Sequence, residues 1–114
     1  MPAITFAAPL LPGMTDAWLQ AAAEMTGARS AAFAESRQRM GLTREVVSLQ
    51  RTPQGDFVVV CLEGDDPDAV ISKYLNSEEP FDRWFAETVL TGCHGMTASQ
   101  EPPPPNRLFV DWRA

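Results

Sequence analysis

The sequence predicts one α+β domain over residues 1–114: a four-stranded antiparallel sheet covered by its own helices on one face and by a second copy of the chain on the other. Three observations carry this. The stretch Asp56-Phe57-Val58-Val59-Val60-Cys61-Leu62-Glu63 is a strand with no polar row, since Phe57, Val59 and Cys61 point one way and Val58, Val60 and Leu62 the other. A parallel sheet sheathed in helices could bury both rows, but 114 residues hold too few strand–helix repeats for one. Strand and helix signals alternate as strand, helices, hairpin, helices, strand.

Taken in order, Ala3–Ala8 reads as the first strand, with Ile4, Phe6 and Ala8 on one face. Pro9 ends its pairing and Pro12-Gly13 turns the chain. Thr15 is placed to cap a first helix, with Trp18, Ala21, Ala22 and Met25 as its apolar stripe. Gly27 weakens or bends that helix. A second segment, Ala28–Met40, carries Ala32, Phe33, Ser36 and Met40 on one side and closes at Gly41. Arg37 and Arg39 fall in its last turns, where the helix dipole favours cations.

Glu45–Thr52 alternates as an edge strand, Val47 and Leu49 against Val46, Ser48, Gln50 and Thr52. Pro53-Gln54-Gly55 makes the hairpin into the doubly apolar strand. Asp66-Pro67 starts a helix holding Val70, Ile71, Tyr74 and Leu75. A second start at Ser77–Pro80 leads into Phe81, Trp84, Phe85 and Val89, with Gly92 closing it. The prolines 102–105 form a stiff spacer into Leu108–Trp112, the expected fourth strand. This order is the split βαβ pattern of ferredoxin-like folds, which puts the first and third strands at the centre.

Composition narrows the function classes. A net charge of −6 argues against nucleic-acid binding, which needs a basic footprint. No run approaches the ~20 apolar residues of a membrane span, and the start lacks the basic region of a signal peptide, so a cytoplasmic location is expected. Two cysteines make no disulfide framework, and Cys61 should behave as a small hydrophobe in the third strand. Charge is uneven: residues 29–51 hold five arginines against two glutamates, and residues 56–87 hold nine acids against Lys73 and Arg83. The two segments either face each other or form a basic opening for an anion; the first reading is preferred.

Thr52-Pro53-Gln54-Gly55-Asp56, Glu63-Gly64-Asp65-Asp66-Pro67, Pro80-Phe81-Asp82-Arg83-Trp84-Phe85 and His94-Gly95 resemble an uncharacterised group within the dimeric α+β barrel superfamily. The resemblance runs from Ala3 to about Trp112. It implies two ferredoxin-like sheets packed face to face as a homodimer. The superfamily includes cofactor-independent monooxygenases, haem-degrading enzymes, isomerases and proteins of no known activity, among which fold analogy does not choose.

The side chains able to carry chemistry are few. His94 is the only histidine and sits where it could reach a cavity beneath the helices. It is a candidate general base, or an axial ligand if haem binds; the plainer alternative is a loop histidine bonded to a carbonyl. One His beside one Cys supplies no metal site, so no metal is expected. Asp82, Arg83 and Trp84 are candidate pocket residues, against the simpler expectation of an exposed polar face on which Arg83 reaches Glu87. Tyr74 is a candidate ligand-orienting residue, because its hydroxyl needs a partner if buried. The preferred functional expectation is a homodimer binding or sensing a small hydrophobic molecule. The alternative is a cofactor-independent oxygenase or isomerase for a small aromatic or polyketide-like substrate, with His94 as base.

Overall fold

A computed structural model describes residues 2–114; Met1 lies outside the described residues. Strands β1 (Ala3–Pro9), β2 (Leu42–Thr52) and β3 (Gly55–Gly64) form one antiparallel sheet in the order β1-β3-β2. The doubly apolar strand is therefore central, paired with β1 from Ala3↔Glu63 to Pro9↔Phe57 and with β2 through the hairpin. Thr52 fixes that hairpin, its hydroxyl bonding the Gly55 carbonyl at 2.7 Å while accepting from the Gln54 amide.

Helices α1 (Thr15–Thr26), α2 (Ser30–Arg39) and α3 (Val70–Asn76, entered through a 3₁₀ turn at Pro67–Ala69) pack on one face. They are joined there by α4 (Pro80–Phe85), a π-helix (Ala86–Thr91) and a last α-turn α5 (Gly92–His94). That face carries Val58, Val60 and Leu62, all buried in one core with Trp18, Tyr74, Phe85 and Val89. The opposite row of β3, Phe57, Val59 and Cys61, is only half-buried, so Cys61 is not the enclosed hydrophobe expected.

Four further expectations are corrected. Leu108–Trp112 forms no strand, and the sheet has three strands in place of four. Its apolar residues fall consecutively, so as a strand it would add an apolar row to the sheet face that no helix covers. Leu108, Phe109, Val110 and Trp112 stand 61–79% exposed. Side chains alone hold the segment to the sheet, Asn106 donating to the Thr5 carbonyl at 2.6 Å and Arg113 meeting Glu63 at 3.5 Å.

Thr15 does not cap α1; its hydroxyl donates to Asp56 at 2.6 Å and ties the helix start to β3. Gly27 ends α1 outright: the Gly27 and Arg29 amides both bond the Glu24 carbonyl, and this turn separates α1 from α2. Gly92 does not close the last helix. It lies inside the helical run, and Gly95, at φ 74°, ends it in the left-handed conformation.

One ion pair joins the basic and acidic segments. Arg39 of the basic segment bonds Asp82 of the acidic one at 2.8 Å, and Arg37 bonds Glu45 within its own segment. Among the described residues no helix is long and apolar enough to cross a membrane.

Candidate functional site

Between the sheet and the helices lies a partly open cavity of about 220 Å³. Its floor is the helix-facing row of the sheet, Phe6 and Ala8 from β1 with Val58, Val60 and Leu62 from β3. The alternation of strand side chains puts these five on one face. Its roof comes from Trp18, Ala22 and Met25 of α1, Phe33 of α2, Tyr74 of α3 and Phe85 of α4. The wall is almost wholly apolar, and the charged or titratable groups on it are Arg37, Glu45, Tyr74 and His94.

Arg37 is the anchor of the polar side. Its Nε donates to Glu45 Oε1 at 2.5 Å, one terminal nitrogen donates to Glu45 Oε2 at 3.2 Å, and the other to the Tyr74 hydroxyl. The guanidinium carbon lies 4.3 Å from the ring centre of Phe33, 4.6 Å from Phe85 and 4.9 Å from Tyr74. Aromatic rings thus cover its faces and leave its edge for hydrogen bonding. Burial works against its charge, but Glu45 and the Tyr74 hydroxyl outweigh that and hold it protonated.

Behind Arg37 the hydrogen bonds have one possible direction. Asp82 is fully buried and accepts from Ser36 at 2.6 Å, from Ser77 at 2.7 Å and from Arg39 at 2.8 and 3.1 Å. An ionised carboxylate only accepts, so Ser36 must spend its proton on Asp82. The Ser36 oxygen then accepts from Tyr74, whose own oxygen accepts from Arg37. Burial alone would raise the Asp82 pKa; its bonds from Arg39, Ser36 and Ser77 and the Arg39 charge bring it below the ordinary value. The Tyr74 hydroxyl is pushed up by burial, with Arg37 and Ser36 only partly opposing, and stays protonated.

His94 stands elsewhere on the wall, in the last α-turn. The π-helix before it is the local cause of its placement, because each wide i→i+5 turn takes up one residue more than the α-helical repeat. Gly92 makes the turn possible: its amide reaches the Glu87 carbonyl, and a Cβ there would stand 2.9 Å from that oxygen. The His94 Nδ1 lies 2.9 Å from the Pro9 carbonyl oxygen, which can only accept, so Nδ1 carries the proton and Nε2 has a free lone pair. Burial lowers the pKa of the ring, the Pro9 bond opposing in part, so the neutral form prevails at pH 7.

The structure brings two of the five sequence candidates, Tyr74 and His94, to one cavity. Asp82, Arg83 and Trp84 are not on its wall. Asp82 is a buried supporting acceptor and no part of an exposed polar face. Arg83 reaches Glu87 at 2.7 Å on the surface, as the simpler expectation had it. Trp84 is covered by the Arg29 guanidinium at 4.1 Å. Sequence reasoning missed Arg37, Glu45, Ser36 and Ser77. A signal for Ser36 was present, since a serine on an otherwise apolar helical stripe must find a buried partner.

The residues present do not suit haem. A porphyrin carries two propionates, and the one cation on the cavity wall, Arg37, is already paired with Glu45. Among the described residues no three His, Cys, Asp or Glu side chains are grouped to hold a metal ion. No family model, no curated protein and no solved structure matches the chain, so its likeness to the dimeric α+β barrel proteins rests on the sequence motifs alone.

Proposed function

We propose that this protein is a homodimer that binds a small, largely apolar molecule between its sheet and its helices. The cavity carries the reading: apolar strand and helix residues surround it, and its polar groups are few and fixed by hydrogen bonds from behind. Binding sites for small molecules are built in this way. At about 220 Å³ it suits a one- or two-ring compound or a short chain; an apolar cavity of about 150 Å³ already takes up benzene.

The homodimer is supported by the sheet face that no helix covers, where Phe57, Val59 and Cys61 meet Thr5, Ala7, Val46 and Ser48. The exposed apolar residues 108–112 add to it. A ferredoxin-like relationship, with residues 108–112 completing a sheet only in the dimer, fits the same proposal.

Methyl NMR tests the binding reading. Toluene added to the protein should shift the methyl signals of Val58, Val60, Leu62 and Leu90 while leaving those of Val46 and Val59 in place. Shifts confined to Val46 and Val59, or none at millimolar toluene, would refute it.

One observation favours the enzymatic alternative. His94 is neutral, held in a single tautomer, and has its Nε2 lone pair free, as a general base requires. Tyr74 is not its partner in proton delivery, because its proton is committed to Ser36. Any oxygenase or isomerase turnover found with small aromatic compounds should vanish in His94→Ala while toluene still binds. Turnover that survives the substitution removes this alternative.

A further inference from the structure

The guanidinium of Arg37 has five N–H donors, of which Glu45 takes two and Tyr74 one. One N–H on each terminal nitrogen is left without a protein acceptor among the described residues. The residue is only 9% exposed, its faces are covered by Phe33, Tyr74 and Phe85, and it borders the cavity. A buried donor without an acceptor is costly, and apart from Thr26, Glu45, Tyr74 and His94 the lining is hydrocarbon, so an acceptor carried by the ligand would satisfy these donors.

The charge of that ligand follows from Glu45. Its carboxylate lies against the guanidinium through two hydrogen bonds, so the pair presents donors with no net charge. An anion entering the cavity would leave water, meet a neutralised partner, and approach the Glu45 carboxylate. A neutral oxygen loses far less solvation and still receives the hydrogen bond. Building on the cavity reading, we infer that the ligand is a compact apolar molecule with one neutral carbonyl oxygen, a ketone, ester or amide, held by Arg37.

Three probes of nearly equal shape test this: α-methylstyrene, acetophenone and benzoate, which carry a methylene, a carbonyl and a carboxylate on the same ring. Calorimetric titration should find acetophenone tighter than α-methylstyrene by about tenfold, although it is the less hydrophobic of the two, with benzoate the weakest. In Arg37→Met the order of acetophenone and α-methylstyrene should reverse. Glu45→Gln, which leaves Arg37 in place and removes the opposing charge, should strengthen benzoate at least tenfold and change acetophenone little. If Arg37→Met does not fold, the wild-type order and the Glu45→Gln response decide the matter.

Equal affinities for acetophenone and α-methylstyrene in the wild type would overturn the inference and leave the cavity reading standing. Benzoate binding tightest to the wild type would overturn the neutral-ligand claim. Failure of all three to bind would remove the cavity reading and this inference together.

Discussion

His94 and Asp82 show at the scale of single residues how burial and hydrogen bonding set the response to acid. The folded pKa of His94 lies below its ordinary value of about 6.5. The unfolded chain therefore takes up this proton first, and stability falls as pH drops from about 6.5 through the folded pKa. Asp82 is also depressed, so the stability it confers is in place above about pH 3.9 and is lost as pH falls through its lower folded value. Urea titrations at stepped pH should show both declines. His94→Gln should erase the upper one only. Asp82→Asn should flatten the lower one and cost about 3 kcal/mol at pH 7, since Ser36, Ser77 and Arg39 lose a charged acceptor. A flat profile from pH 7 to 5 in the wild type would contradict the half-buried neutral histidine.

At the scale of elements, patterns that depend on near neighbours were legible. The alternation of β2, the hairpin at Pro53–Gly55, the Asp66-Pro67 start and the stripe of α1 all follow from local spacing, and each has the place expected of it. Arg37 and Arg39 read as dipole-complementing cations, yet their acceptors lie on β2 and α4, contacts that helical spacing cannot reveal. The π-helix at Ala86–Thr91 was illegible for a related reason: it depends on i→i+5 bonds that leave the apolar repeat nearly unchanged. Gly92 tests it. In an ordinary α-helix Gly→Ala stabilises by about 1 kcal/mol. Here the new Cβ would meet the Glu87 carbonyl oxygen at 2.9 Å, so Gly92→Ala should instead destabilise by about 1–2 kcal/mol in thermal unfolding. A gain in stability would mean that the wide turn is absent.

For the whole molecule, the doubly apolar strand gave the right centre for the sheet, but the two faces of that strand differ in their cover. Val60 lies on the helix-packed face and Val59 on the open one. Val60→Asp buries a charge in the core and should leave the chain unfolded, at a cost of several kcal/mol. Val59→Asp should fold, and by light scattering should halve the mass of a wild type that runs at twice the chain mass. Cys61 on the open face should then react with a thiol reagent faster than in the wild type, while Cys93, fully buried, stays unreactive in both. A wild type that is already monomeric at micromolar concentration would end the homodimer proposal and leave the cavity untouched.

Ligand binding between sheet and helices stands or falls with the cavity itself. Crystals held under xenon pressure test it without choosing a ligand, because xenon enters apolar cavities large enough to hold it. One strong xenon site is expected, bordered by Val58, Val60, Phe85 and Leu90, with Phe33 and Arg37 at its edge. Crystals in which Met25 and Phe85 close over that space and xenon finds no site there would contradict it.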